Sequence, residues 1–229
     1  MNTQSLVQVI TCRAVICAVP VTQLQNRSIT FAPLLPVAQQ AAIDRIRMGN
    51  AVKIFGIFSS RFWPEGMWDV VCTHRLLPEL WMTSYPVEDK NHVGQLNHVC
   101  VTAFCTGKRA ATLGAMSPAS AVDRLIEQLN EVFGTHDDPT PATRTFVRGY
   151  MRDWSKEPFI GGAYTHPSLG AKAGDRNLAA SNLGNVVFFA GEHCQSDLNP
   201  CMQGAMQTGD LAAAQVYHAL NSQKTTSRL

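Results

Sequence analysis

The stretch VVFFAGEHC, residues 186–194, leads from an apolar run into a glycine, a carboxylate, an imidazole and a thiol. Such an apolar run predicts a buried strand, so Gly191 and Glu192 would lie at its carboxyl end. In α/β proteins, that end of a strand and the start of the following helix form a ligand site. Glu192 is therefore a candidate acceptor for ligand hydroxyl groups, and Gly191 would let a ligand approach the backbone. On these residues alone, a solvated glutamate in a surface loop is the alternative interpretation.

The segment that follows predicts a helix over roughly residues 202–221. It is rich in alanine and carries Gly204 and Gly209, which permit close packing against a strand or a ligand. The N–H groups of Met202 and Gln203 at its start have no partner within the helix, so they favour negative charge nearby. The strand end and the helix start together predict a ligand-binding site.

The composition is that of a folded globular protein, with 45% hydrophobic and 16% charged residues among 229. The formal net charge of +2 and the scattered Lys and Arg residues do not support a nucleic-acid partner. No uncharged apolar run is as long as a membrane span, and we expect no secretory signal. The seven cysteines include no C-x-x-C pair, which is typical of reduced thiols in an intracellular protein.

Alternation predicts strands, and 3.6-residue periodicity predicts helices, in the segments around this site. The predicted strands are residues 7–21 (a strand or a strand pair), 51–63, 97–107 and 144–151. The predicted helices are residues 117–134 and a helix that follows the two prolines of residues 31–36, from about Ala38 to near Gly49. The helix over residues 117–134 has the clearest start, because Ser117 can cap it and Pro118 suits its first position. Residues 161–175 are rich in glycine and predict an irregular stretch.

Pairs of histidine and cysteine raise a metal site as an alternative. The pairs are Cys72 with His74, His98 with Cys100, and His193 with Cys194. Zinc sites use these ligand types. However, His98 and Cys100 fall in an apolar strand, and the third pair belongs to the predicted strand end. We therefore predict no metal.

Five segments resemble the flavin-containing amine oxidases, a family that includes monoamine oxidases, polyamine oxidases and histone-lysine demethylases of that class. They are AVICAVPVTQL…ITFAPLLP, IRMGNAVKIFGIFSSRFWPE, VTAFCTGKRA, DWSKEPFIGGAY and FFAGEHC…MQGAMQTGDLAAA, in the order of the family. The resemblance extends over nearly the whole chain and implies an α/β fold (mixed α+β). Part of an FAD-binding domain, residues 1–42 and 157–221, would be interleaved with a mixed-sheet substrate domain, residues 43–156. Residues 222–229 would form a flexible tail.

The resemblance implies FAD as the cofactor and places its contacts at the strand end and the helix start. Glu192, with Gly191 beside it, would accept a hydrogen bond from a ribityl hydroxyl. The N–H of Met202, next to Gln203, would face flavin N1 and O2, where reduced flavin carries negative charge. Trp154 matches an aromatic position beside the isoalloxazine ring.

Two residues match catalytic positions of the family. Lys53 matches the lysine that reaches flavin N5 through a water and assists the reaction of oxygen. Without the resemblance, Lys53 would be a solvated lysine on an alternating strand. Tyr164 matches one wall of the aromatic cage that holds the amine. Core packing is the alternative for both Tyr164 and Trp154.

The chain departs from the family pattern in three ways. Ala163 stands where the monoamine oxidases carry the cysteine that bonds covalently to FAD, so we expect noncovalent FAD. Cys201 stands where they carry the second cage aromatic, which puts a two-walled cage in doubt. Finally, these 229 residues contain no G-x-G-x-x-G motif, so the chain resembles the C-terminal half of the family.

The function implied is FAD-dependent oxidation of a primary or secondary amine (a monoamine or a polyamine) to an imine and then an aldehyde. The small amine and molecular oxygen would be its substrates, and hydrogen peroxide would be released. The alternative is a truncated, catalytically inactive interaction module, because the dinucleotide-binding turn is not in this sequence.

The last three residues, Ser227, Arg228 and Leu229, are similar to the Ser-Lys-Leu address that the peroxisomal import receptor reads. An oxidase that makes hydrogen peroxide belongs where peroxide is destroyed. We therefore expect a peroxisomal location with the import receptor as a partner, and a cytoplasmic location if the address is not read.

Overall fold

The computed structural model describes residues 8–83, 98–198 and 200–226, and side chains as far as residue 222. The chain divides into two compact units. We call Met1–Met48 with Tyr164–Leu229 the terminal unit, and Gly49–Ala163 the central unit. Both contain helices and strands, so the predicted mixed α/β class is confirmed.

Short elements build the terminal unit. They are β1 (Val15–Cys17), α1 (Val21–Gln25), α2 (Val37–Arg45), β2 (Ile46–Gly49, which ends at the unit boundary), β8 (Tyr164–Pro167), α6 (Asp175–Ala179), β9 (Val187–Phe189) and α7 (Met202–Thr226). β1 pairs in parallel with β9, and β2 pairs with β8. Because successive side chains of a strand point to opposite faces, Phe189 packs with Val21 and Ile43 while Phe188 packs with Ala212 of α7. The predicted buried strand at residues 186–190 is therefore confirmed in its core part.

A five-stranded sheet forms the centre of the central unit. Its elements are β3 (Ala51–Phe58), β4 (Asp69–Val71), β5 (Glu79–Thr83), β6 (Val99–Thr106), α3 (Gly107–Gly114), α4 (Pro118–Phe133), α5 (Pro141–Thr145), β7 (Phe146–Asp153) and a 3₁₀ turn, Trp154–Lys156. The strand order is β4-β5-β6-β3-β7. Each ladder is antiparallel, where the sequence led us to expect a mixed sheet.

The two faces of this sheet differ in burial. On one face Val52, Ile54 and Phe58 are buried and pack with Leu125 and Leu129 of α4. Lys53 lies on the other face and is only half-buried, because its side chain alternates with these residues along β3. The apolar face supplies the core, and the opposite face is left with polar and aromatic side chains.

Local signals predicted α4 correctly. Ser117 Oγ accepts a hydrogen bond from the Ser120 N–H at 3.1 Å, and Pro118 occupies the first turn. This cap satisfies one of the free N–H groups at the helix start, which is typically worth ~1 kcal/mol. The helix ends at Phe133, before Gly134, as predicted.

Several predicted boundaries are wrong. Residues 8–14 form no strand, and the helix predicted from about Ala38 to near Gly49 is α2, which ends at Arg45 and is followed at once by β2. The stretch over 161–175 contains β8. α7 continues through Thr226, so most of the tail predicted to be flexible is helical. Residues 227–229, which carry the predicted address, lie outside the described residues.

Candidate functional site

The end of β9 is held against α7 by one side chain. Gly191 follows the strand with φ 138°, a conformation that favours glycine. Thr208 Oγ1 accepts a hydrogen bond from the Gly191 N–H at 2.9 Å and lies 3.0 Å from the Gly191 carbonyl oxygen. A Cβ at Gly191 would lie 2.7 Å from the ring of His193. Glycine is therefore required here by both conformation and space.

Glu192 is half-buried and oriented by a second strand. The hydroxyl of Thr165, on β8, donates to Glu192 Oε2 at 2.7 Å. Arg176 Nη1 donates to that hydroxyl oxygen at 2.9 Å and to the Glu192 backbone carbonyl at 3.2 Å. These contacts fix one carboxylate oxygen and leave the other for a ligand hydroxyl. Glu192 is thus not a freely solvated surface residue.

Two buried nitrogen atoms beside Glu192 have no hydrogen-bond partner among the described residues. They are Arg176 Nη2 and His193 Nε2. Burial, and then the charge of Arg176, lower the pKa of His193 to about 4, so the imidazole is neutral at pH 7. Burial also lowers the pKa of Arg176, although the nearby Glu192 carboxylate opposes that shift. Unpaired buried polar atoms are costly, so these atoms are candidates for contact with a ligand or water.

The neighbouring cysteine is a structural thiol. Burial raises the pKa of Cys194 to about 12, and the Cys17 thiol and the Glu192 carboxylate add to the shift. A thiol with this pKa is protonated at neutral pH, which makes it a poor metal ligand. Within the described ranges, no three His, Cys, Asp or Glu side chains come together as metal ligands would.

The start of α7 is exposed. Met202, its first residue, has 80% of its surface exposed, and Gln203 is exposed as well. Within the first turn, a Cβ at Gly204 would lie 2.1 Å from the Leu198 carbonyl oxygen, so only glycine lets the preceding loop pack against the helix. Cys201 Sγ donates to the same Leu198 carbonyl. The loop therefore holds the helix start in place, where the first N–H groups of a helix have no partner within the helix itself.

Neither predicted site aromatic lies in a buried core. Tyr164 begins β8 and Trp154 begins the 3₁₀ turn, and both are half-buried. The Trp154 backbone carbonyl accepts a hydrogen bond from the Gly162 N–H at 3.1 Å, and the Ala163 N–H donates to the Gly49 carbonyl at 2.8 Å. The backbone that leads into Tyr164 is thereby fixed, and both aromatic residues keep some exposed surface.

Lys53 lies against an aromatic pair that the sequence analysis missed. Its Nζ is 5.0 Å from the centre of the Trp81 ring and 5.7 Å from that of Phe104. The two rings stack with their centres 5.1 Å apart, and Trp81 Nε1 donates to Glu79 Oε1 at 2.8 Å. Phe104 lies opposite Lys53 in the β3–β6 ladder, so a correct strand register would have found it.

The predicted site residues thus fall into two groups. The terminal unit brings together Gly191, Glu192 and the start of α7, and it also carries Tyr164. The central unit carries Lys53 and Trp154. Thr165 and Arg176, which orient Glu192, were not predicted, because nothing in the local pattern marks them as neighbours of a residue 27 and 16 positions away.

Comparison with known proteins identifies the family to which the chain belongs. The family model for flavin-containing amine oxidoreductases matches residues 3–217. The chain belongs to this family. A lysine-specific histone demethylase 1 homolog 2 of Arabidopsis thaliana is 27% identical over 90% of the chain and 27% of its own length. The flavin-containing amine oxidase B of Canis lupus familiaris is 25% identical over 90% of the chain and 38% of its own length.

A solved structure shows the same fold. Cyclohexylamine oxidase from Brevibacterium oxydans superimposes with a TM-score of 0.75 at 21% identity, covering 91% of the chain and 43% of the oxidase. The chain therefore spans about a quarter to two-fifths of the length of these relatives. The resemblance seen in the sequence is confirmed.

Membership of the family implies a flavin cofactor, FAD. The residues present fit the flavin end of FAD: Glu192 has an oxygen available for a hydroxyl, and the exposed start of α7 offers N–H groups. Gly191 and Gly204 also keep the backbone free of side chains there. No helix among the described residues is long and apolar enough to cross a membrane.

Proposed function

We propose that this chain supplies the flavin and amine site of an FAD-dependent oxidase that converts a primary or secondary amine to an imine, hydrolysed to an aldehyde. The observation that carries the proposal is the fixed orientation of Glu192 by Thr165 and Arg176 at the strand end, in a chain of the amine oxidoreductase family. Molecular oxygen would be the second substrate and hydrogen peroxide a product.

The terminal unit would hold the cofactor through a hydrogen bond and through the N–H groups at a helix start. Glu192 would accept a hydrogen bond from a hydroxyl, and the N–H groups of Met202 and Gln203 would favour negative charge at the start of α7. When bound, FAD supplies the acceptor for the hydride that leaves the amine-bearing carbon. Ala163 offers no thiol, so binding would be noncovalent.

Side chains with exposed aromatic surface would receive the amine. Tyr164 is half-buried, so one part of its ring is free to contact a substrate. A neutral amine or its ammonium form can pack on such a ring, and cation–π contacts contribute ~0.5–2 kcal/mol. Cys201 is smaller than an aromatic residue, so we infer a site with one aromatic wall and room for a substituted amine.

Lys53 would assist the reaction with oxygen. A positive charge fixed in place stabilises negative charge that develops on oxygen as it is reduced. The rings of Trp81 and Phe104 hold the Lys53 ammonium on the half-buried face of the sheet.

Two variants test this proposal in the purified chain with excess FAD. Glu192→Gln keeps the size of the side chain and weakens hydroxyl binding, so FAD affinity followed by flavin fluorescence should fall about tenfold. Lys53→Met should leave FAD affinity unchanged and slow reoxidation by oxygen in a flavin-loaded sample. Glu65→Gln, at an exposed carboxylate with 87% of its side chain in solvent, is the matched control.

The alternative function, an inactive interaction module, gives different results. The chain lacks the G-x-G-x-x-G turn that binds the pyrophosphate of dinucleotides, which favours this alternative. It predicts FAD binding that Glu192→Gln does not alter and no peroxide from any amine. Those two results together, obtained with a polypeptide that carries a G-x-G-x-x-G unit added, would contradict the oxidase proposal.

A further inference from the structure

The half-buried face of the central sheet carries an ordered row of side chains around Lys53. In the ladders, Lys53 of β3 lies opposite Phe104 of β6, and Phe104 lies opposite Glu79 of β5. Trp81 lies one pair further along β5, opposite Thr102. By register alone, Phe104 and Glu79 therefore share the row of Lys53, whereas Trp81 belongs to the next row on the same face.

The Trp81 ring nevertheless crosses into the row of Lys53. It stacks on Phe104, with the two ring centres 5.1 Å apart and an angle of 23° between the ring planes. Directly opposite residues have Cβ atoms ~4.5–5.5 Å apart, whereas diagonal neighbours are ~7–8 Å apart, so the indole must lean along the strand to make this stack. The same lean brings the ring centre to 5.0 Å from Lys53 Nζ, which comes from two strands away.

A carboxylate holds the indole in this orientation. Trp81 Nε1 donates a hydrogen bond to Glu79 Oε1 at 2.8 Å. Glu79 precedes Trp81 by two positions on β5, so it stands on the same face, on the side toward which the indole leans. A hydrogen bond to an ionised acceptor is about twice as strong as a neutral one. An indole turned the other way, toward the row of Thr83, would lose both this bond and its contact with Lys53.

We propose that Glu79 is a positioning residue for Lys53 and acts through the Trp81 ring. An ammonium group is attracted to the negative face of an aromatic ring, so the orientation of the ring decides where the charge rests. Phe104 carries no polar atom that could fix its ring, whereas Trp81 carries the N–H that Glu79 accepts. The effect on the reaction with oxygen rests on the role proposed for Lys53, and the position of the ammonium does not.

That position can be measured without flavin, from the rate at which acetic anhydride acetylates each lysine of the full 229-residue chain. Contact with the rings protects the Lys53 amine from the reagent. Glu79→Ala should raise the Lys53 rate by about two- to thirtyfold, the range of a cation–π contact, relative to exposed Lys108 in the same sample. Glu79→Gln keeps an acceptor oxygen without the charge and should restore most of the protection. Mass spectrometry of the digested chain gives the ratio of the two rates.

Two further variants separate the proposed route from other effects. Trp81→Phe keeps a ring and removes the donor, so adding Glu79→Ala to it should not change the Lys53 rate further. Glu65→Ala removes an exposed carboxylate of the same unit and should give the wild-type rate. The inference is overturned if Glu79→Ala, folded by circular dichroism, leaves the rate unchanged, or if Glu79→Gln raises it as much as Glu79→Ala. An equal rise from Glu79→Ala in the Trp81→Phe background would overturn it as well.

A second arm measures the effect on the proposed reaction. FAD is loaded in the presence of a polypeptide that carries a G-x-G-x-x-G unit, and reoxidation by oxygen is followed. Glu79→Ala should slow reoxidation at unchanged FAD affinity, and Glu79→Gln should restore most of the rate. If the acetylation results hold while reoxidation is unaltered, Glu79 positions the Lys53 ammonium as proposed, and the role proposed for Lys53 in the reaction with oxygen is wrong.

Discussion

His193 shows how one residue of the site makes stability depend on pH. The imidazole is 2% exposed, and its pKa is lowered from 6.5 to about 4 by burial and by Arg176. In the unfolded chain the residue takes up a proton as pH falls through 6.5, whereas in the folded chain it stays neutral until about 4. The part of the free energy of unfolding that depends on neutral His193 is therefore fully present above pH 6.5. It is lost progressively as the pH falls from 6.5 to 4.

We predict that replacing this imidazole removes part of the acid sensitivity. A shift of this size corresponds to about 2–3 kcal/mol between pH 7 and 4, since each pKa unit is worth ~1.4 kcal/mol. Urea unfolding of wild-type and His193→Gln protein at several pH values in that interval measures the difference. His136→Gln, at an exposed histidine, should keep the wild-type slope. Parallel slopes for wild-type and His193→Gln protein would show that the imidazole is not the group responsible.

At the scale of elements, α4 packs closely against the sheet at a glycine of β7. A Cβ added at Gly149 of β7 would lie 2.6 Å from Val122 Cγ1 and 3.1 Å from the Phe55 carbonyl oxygen. Neither neighbour moves easily, because Val122 is a β-branched residue in a helix and Phe55 contributes backbone of β3. The close contact of α4 with the buried face of the sheet thus depends on the absence of a side chain.

Gly149→Ala should therefore destabilise the chain by about 1–3 kcal/mol, the usual cost of overpacking a core. Thermal unfolding compared with Gly170→Ala is the measurement, because a Cβ at Gly170 has no neighbour within 4 Å. If both alanine variants melt together, helix and sheet have room to separate, and the packing argument fails.

The elements that the sequence predicted are those whose information is local. α4 has its cap, its proline and its apolar stripe within one segment, so Ser117, Pro118 and the end at Phe133 were all found. β1 has only three residues, and it forms because it pairs with β9, about 170 positions along the chain. The local pattern does not contain that pairing, so the strand predicted over residues 7–21 was too long. The same holds for the site. Glu192 could be predicted from the strand that precedes it, whereas the contacts of Arg176 with Glu192 and of Lys53 with Trp81 depend on tertiary structure.

At the scale of the whole molecule, the carboxyl terminus is a predicted peroxisomal address. Ser227, Arg228 and Leu229 follow α7, whose described part ends at Thr226. We predict that the last nine residues, NSQKTTSRL, direct a fluorescent protein to peroxisomes through the import receptor. Replacing Leu229 by Ala in that fusion is the control and should leave the signal in the cytosol. A diffuse signal from the unchanged nine residues would refute the address.

The final prediction concerns the cofactor affinity of the chain by itself. The pyrophosphate of a dinucleotide usually rests on the glycine-rich turn of a βαβ unit and the start of its first helix, which supply several N–H donors. These 229 residues contain no such turn, so Glu192 and the start of α7 would hold only the flavin end. We therefore expect no stoichiometric FAD binding at about 1 µM, where a tight flavoprotein would be saturated.

Among the described residues, one edge of β1 has no paired strand, so we expect the chain by itself to be marginally stable. Val15 N–H and the Cys17 carbonyl bond toward β9, so the backbone groups of Ile16 between them point to the opposite edge, and 42% of Ile16 is exposed. In the described part of the chain, β1 and β9 form a two-stranded sheet, which is marginal without further strands. A polypeptide that carries a G-x-G-x-x-G unit should raise both the melting temperature and FAD affinity when added. Stoichiometric FAD binding by the chain alone, with peroxide formed from an amine, would instead mean that Glu192, Arg176 and the start of α7 suffice to hold the cofactor.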